Sequence, residues 1–216
     1  DYVEGVNRWV KEHPNAFKVA FNESFQLGMA DFSGILQRTK AANADIFLSD
    51  AHLQDYITMQ RQYTQMGLRH RMVSYGARGP EEPARKALGP AADYIFAGVW
   101  WHKDLPYPQV KAFGQEYKKK YQREPDSWYA ATAYDSVRAL AAAIESAGSL
   151  DRTSIRNALR KVRLTDSLLP GKILEFQANG QALAPFVIIQ NKPGDKVDFV
   201  YPEDSRTGEV VTRIPR

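Results

Sequence analysis

Residues 30–67 read ADFSGILQRTKAANADIFLSDAHLQDYITMQRQYTQMG, and the fold is decided here. Asp31 precedes an apolar run with Phe32, Ile35 and Leu36 on one helical face, and its carboxylate is placed to cap that helix. Asn43 is a stop. Asp45 to Ser49 is short and apolar in its middle, the pattern of a strand covered on both faces. Leu53, Tyr56, Ile57, Tyr63 and Met66 then recur at helical spacing, and Gly67 ends the second helix. A strand between two helices is the unit of a doubly wound parallel sheet. Ligands of such sheets sit outside the carboxyl ends of strands, which here means Ser49, Asp50 and His52.

Working outward, helix and strand alternate through the first hundred residues. Asp1 to His13 is a helix with Val3, Val6, Trp9 and Val10 along one stripe. Phe17 to Phe21 alternates as a strand, and so do Arg69 to Ser74 and Tyr94 to Trp101, with a short helix over Glu82 to Leu88. After the connector HKDLPYP come three helices with no strand between them. They run over Gln109–Tyr121, over Ser127–Ala147 with Asp126 as cap, and on from the cap Asp151, where Leu150 and Ile155 make a hydrophobic staple. In the long helix Val137, Leu140, Ala141 and Ile144 form the apolar face. Three such helices need a core other than the first sheet. From Gly171 the pattern turns to β, with Asn179-Gly180 and Pro193-Gly194-Asp195 as turns.

Composition narrows the function. The chain has 216 residues, 44% hydrophobic and 25% charged, with a net charge of +4. That balance describes a folded core and not disorder. Absence of cysteine removes disulfides, thiolate metal sites and cysteine nucleophiles. The longest apolar run, Ala139 to Ile144, is too short to cross a bilayer, and no signal peptide opens the chain. Lys118-Lys119-Lys120 is a solvated helix face, and no basic stripe interleaves with aromatics, so no nucleic-acid partner is expected. Asp50 and His52 could form a catalytic dyad, but no Ser or Cys nucleophile has a recognisable setting, so no enzyme activity is expected.

Four segments carry a family resemblance: ADFSGILQRTKAANADIFLSDAH, MQRQYTQMGLRHRMV, FGQEYKKKYQREPDSWYAATAYDSVRALAAAIESAGSLDRTSIRNAL, and the Gly-x-Ile-Leu-x-Phe-x-x-Asn-Gly stretch from Gly171 to Gly180. Together they resemble the type I periplasmic solute-binding proteins, the branched-chain amino-acid receptor family of ABC transporters. The resemblance implies an α/β fold of two lobes, each a doubly wound parallel sheet, with the first lobe incomplete in this chain. Residues 1–105 correspond to the second lobe, 106–178 to a helical return belonging to the first, and 179–216 to a crossing back and a tail. The strands of the first lobe are expected to precede Asp1.

The same resemblance implies a periplasmic substrate-binding component of an ABC importer. It takes a small carboxylated solute, an aromatic acid or an amino-acid-like one, by hinge closure, without cofactor or metal. Its partners are the solute, the membrane permease and the N-terminal remainder of the same protein. The expected ligand-binding residues are His52, Asp50, Tyr75, Arg78, Tyr129, Trp101 and Tyr2. His52 matches a ligand-contacting position, and Asp50 orients it. Tyr129 matches an aromatic of the pocket wall, and Tyr2 a tyrosine facing the cleft. Trp100 and Trp101 flank a crossing, and strand alternation lets only one of them face the ligand. Amino-acid-binding relatives carry an acid in the Tyr75–Arg78 loop to hold the ligand ammonium. This chain has Gly76 there, with Arg78 near enough to pair with a carboxylate instead. A cytoplasmic ligand-sensing regulator of the same fold, like the amide sensor that controls antitermination, is the alternative.

Overall fold

The computed structural model describes residues 2–125 and 127–212, the side chains of Tyr2 and Val3 excepted. The chain divides into two compact units. Unit 1 comprises residues 1–97, 189–198 and 208–216; unit 2 comprises residues 98–188 and 199–207. Chain order is α1 (Tyr2–Glu12), α2 (Ser33–Ala42), β1 (Ile46–Leu48), α3 (Leu53–Gln65), β2 (Met72–Ser74), α4 (Glu82–Leu88) and β3 (Phe96–Val99). Then follow α5 (Pro108–Tyr121), α6 (Trp128–Ala147), α7 (Arg152–Leu159), β4 (Arg163–Leu164), β5 (Leu174–Phe176), β6 (Ala182–Leu183), β7 (Val187–Lys192) and β8 (Lys196–Tyr201). One sheet has the order β1-β2-β3-β7-β8, with β1, β2 and β3 parallel; β4, β5 and β6 form an antiparallel sheet.

Unit 1 is built around the quoted stretch. Phe32, Leu36, Phe47, Tyr56, Tyr63, Val73 and Ile95 are buried together. Each such side chain contributes about 1.5–3 kcal/mol by leaving water. The Asp31 carboxylate accepts from Ser33 N at 2.9 Å, so it serves the first turn of α2, and Asn43 closes that helix in the left-handed conformation. β1 pairs with β2 residue for residue from Ile46↔Met72 to Leu48↔Ser74. Buried amides and guanidinium fix the surrounding segments. Gln60 donates to Ala91 O and accepts from the Tyr75 hydroxyl. Asn191 donates to the carbonyls of Gly79 and Ala92. Arg85 holds Asp195 at 2.6 Å and the carbonyls of Lys192 and Lys196.

Unit 2 turns on a buried carboxylate. Asp135 in α6 accepts from Ser167 Oγ and Leu168 N, both at 2.7 Å, and from Arg138 Nη1 at 3.0 Å. Ala131, Asp135, Ala139 and Ala143 form the buried stripe of α6, four residues apart, which lets α7 pack close. The expected apolar face lies elsewhere: Val137 is 67% and Leu140 44% exposed. Small side chains win the inner face because they permit close helix approach, and the larger ones point outward.

Three further expectations are corrected. Residues 17–21 form no strand, and Phe17 and Val19 are exposed. Alternation yields a strand only where a ladder is on offer, and this segment has no place in the sheet order. β1 is covered on one face only, since Leu48 is exposed. The Asp151 cap forms, its carboxylate accepting from Ser154 N at 2.8 Å, but Leu150 is 80% exposed and staples nothing. Ser127 occupies the cap position of α6; the Asp126 cap lies outside the described residues.

Two outcomes test this packing. Asp135→Ala strands the Ser167 hydroxyl, the Leu168 N–H and Arg138, and should lower unfolding free energy by about 3 kcal/mol in urea titration. His70 is buried against Phe47 and bonded to the Tyr63 hydroxyl at 2.7 Å, and burial lowers its pKa from 6.5. Below pH 6.5 the unfolded chain therefore binds a proton that the folded chain refuses. Stability from this group is complete above that pH and declines as pH falls. His70→Gln should shrink the difference in urea midpoint between about pH 7.5 and about pH 5.5.

Candidate functional site

The carboxyl ends of β1 and β2 lie side by side in unit 1, tied by Ser49 N donating to Ser74 O at 2.9 Å. From β1 the chain runs through Asp50 and Ala51 into His52, the N-cap residue of α3. His52 is exposed, has extended backbone, and does not use its side chain to cap the helix. Asp50 is exposed as well. From β2 the chain runs into Gly76, whose φ of +61° suits glycine. A Cβ at Gly76 would stand 3.0 Å from Asp50 Oδ1, so a side chain there would crowd the Asp50 carboxylate.

The other expected residues are placed less favourably. Tyr75 is fully buried; its ring packs on Tyr56 at 4.5 Å and its hydroxyl donates to Gln60 Oε1 at 3.1 Å. It is a core residue, because the side chain after β2 points into the helix layer, and the expected ligand contact there is corrected. Arg78 is half-buried and its Nη1 binds Glu81 Oε1 at 2.7 Å. Its charge is balanced within its own turn. The Tyr2 side chain lies outside the described residues.

In unit 2, Trp101 is buried edge-on to Phe113, with ring centroids 5.9 Å apart. Trp100 is the exposed member of the pair. Trp100 packs on Trp128 at 4.9 Å, and Trp128 stacks on the exposed Tyr129 at 3.8 Å. Of this three-ring tier, Trp128 is the member that the sequence reading does not single out. Its signal was the adjacent Trp128-Tyr129 pair directly after the helix cap Ser127.

Among the described residues no group of three His, Asp or Glu side chains is arranged to hold a metal ion, and no helix is long and apolar enough to cross a membrane. A groove of about 370 Å³ opens between the 23–29 loop and α2, lined by Glu23, Phe25, Leu27, Met29, Ile35 and Arg38, none of them an expected ligand residue.

Short parallel strands with helices between them define an α/β protein of the doubly wound class. The family model described as periplasmic binding protein matches residues 1–196, and the chain belongs to that family. It is 23% identical over 205 residues to Leu/Ile/Val-binding protein homolog 7 of Brucella abortus, covering 92% of this chain and 51% of that one. It is 28% identical over 163 residues to the leucine-, isoleucine-, valine-, threonine- and alanine-binding protein of Pseudomonas aeruginosa, covering 74% and 42%. Among solved structures it resembles the leucine-binding protein LivK of Thermotoga maritima, with TM-score 0.72, 28% identity and coverage of 83% and 51%. A solute-binding protein from R. palustris in complex with benzoate shares the fold, with TM-score 0.74, 17% identity and coverage of 90% and 53%. The fold is that of type I periplasmic binding proteins, and the chain spans about half the length of the curated relatives it matches.

Replacing Gly76 tests how closely the Asp50 carboxylate lies against this turn. Gly76→Ala should cost about 1–2 kcal/mol for the left-handed backbone alone. Combining it with Asp50→Gly should recover only the part due to crowding of the carboxylate, as read from urea midpoints.

Proposed function

We propose that this protein is the substrate-binding component of an ABC importer and works in the periplasm. Its solute is small and carboxylated, either amino-acid-like or an aromatic acid. The observation that carries the reading is the family match over residues 1–196, joined to a strand-end site in unit 1 whose polar side chains are exposed. His52 and Asp50 are the solute contacts on unit 1. No bond is made or broken: affinity comes from burying the solute against apolar walls, and orientation from a few polar groups.

The partners under this reading are the solute, the membrane permease and the remainder of the same polypeptide. The outward stripe of α6, with Val137 and Leu140 exposed, favours a further part of the protein covering that face.

A thermal-shift series on the intact protein tests the function. Leucine, isoleucine, phenylalanine and benzoate are the probes. A bound solute at about a hundredfold excess over its Kd stabilises by about 2.7 kcal/mol, which raises Tm by several degrees. A shift with at least one probe is the expected result. No shift with any of them, together with turnover that disappears in His52→Ala, would replace the receptor with an enzyme.

A further inference from the structure

The net charge of +4 is carried by one short segment. Residues 149–165 hold five of the 29 Lys and Arg side chains and one of the 25 Asp and Glu, and the remainder of the chain is balanced. This segment, SLDRTSIRNALRKVRLT, is α7 with its flanks. Arg152 and Arg156 stand four residues apart, and Arg160, the C-cap residue, stands four further on. They follow one side of the helix over about 12 Å. All of them are exposed, as are Lys161 and Arg163. Arg163 pairs with Glu175. Arg152, Arg160 and Lys161 have no ion pair among the described residues, and Arg156 reaches only the neutral Asn157 side chain at 3.5 Å. The segment's one acid, Asp151, spends its carboxylate on Ser154.

Helix stability does not account for this row. A cation at the first helical position meets the positive end of the helix dipole, and Arg152 stands there. Like charges four residues apart repel, and the row is built of such neighbours. The lysines of α5 differ: Lys118 is held by Glu124, and Lys120 lies over the Tyr121 ring. Leu150, two residues ahead of Arg152, adds an apolar side chain that is 80% exposed.

We propose that the arginine row of α7, with Leu150, is a docking face for an anionic membrane surface. The guanidinium groups donate in pairs to lipid phosphates, and Leu150 enters the boundary between headgroups and acyl chains. Unpaired cations beside an exposed apolar side chain match that surface in both respects. An acidic protein would match the cations alone. Residues 149–165 contain no aromatic side chain on which bases could stack, which disfavours a single-stranded nucleic acid. Attraction of this kind accumulates cation by cation and is screened by salt, so the protein visits the membrane reversibly. The inference goes beyond the receptor reading, since it concerns where the protein rests and not which solute it takes.

Co-sedimentation of the intact protein with vesicles of phosphatidylcholine, alone or mixed with phosphatidylglycerol, is the test. At about 50 mM salt, partitioning onto the mixed vesicles should be about tenfold stronger or more, and at about 300 mM salt the difference should vanish. Arg152→Gln combined with Arg156→Gln should weaken it by about twentyfold, at about fivefold per cation. Leu150→Ser should weaken it by about threefold and leave the salt dependence in place. Lys119→Gln combined with Lys120→Gln removes as much charge from α5 and should change binding by less than about twofold. These side chains are exposed, so each variant should keep the parent Tm. Equal binding to both kinds of vesicle, or indifference to Leu150→Ser, overturns the proposal. So does an equal loss in the α5 variant, which would make binding a matter of net charge. Arginine-dependent binding to a polyglutamate peptide with none to vesicles would give the row to an acidic protein and overturn it as well.

Discussion

The parallel strands of unit 1 are too short to hold their own ends in place. β1 and β2 are three residues each, so few ladder bonds fix the loops that follow them. Side chains from distant parts of the chain do that work instead. Asn191 grips the carbonyls of Gly79 and Ala92, Arg85 grips three groups around the turn after β7, and Gln62 ties Phe32 N and Ala30 O to α3. The Asn191 amide nitrogen and the Arg85 guanidinium spend their donors on these partners, as buried donors require. The strand ends are thus presented by a scaffold of polar pins laid over an aromatic core.

Unit 2 solves a similar problem with a charge. Asp135 sits in the middle of a stripe of alanines and takes three donors. A buried carboxylate is tolerable only because those donors are fixed, two of them by the 166–169 segment. Ser167 in turn is held through its backbone by Gln109 and Lys172. The alanines and the aspartate therefore act together: the first allow close packing, and the second sets which segment lies alongside.

Much of this is legible in the sequence. Asn43, Gly67 and Asp151 end or begin helices where backbone chemistry says they must, and α4 spans Glu82–Leu88 as its sequence suggests. What misled was apolar periodicity taken without its partner. Phe17, Val19 and Phe21 alternate as a strand does, and Val137, Leu140 and Ile144 recur as a helix core does, yet the described residues supply neither a ladder for the first nor a packed neighbour across the second. Hydrophobic pattern reports which surfaces favour burial; it does not report what is at hand to bury them. The candidate site was legible for a related reason only in part. Strand ends are local and readable, whereas the direction in which Tyr75 or Trp101 points is settled by packing from residues far along the chain.

The charged groups at the strand ends differ in what already holds them. Arg78 was the cation nearest to hand, and a solute carboxylate its natural match, but Glu81 three residues on already balances it. Binding a second anion there would mean dividing one guanidinium between two carboxylates, with the Coulomb gain reduced accordingly. Asp50 is in the opposite position: it is unbalanced, it stands beside a residue with no side chain, and the helix that follows takes nothing from it. Of these two charged groups at the strand ends, Arg78 is held by Glu81 and Asp50 stands exposed.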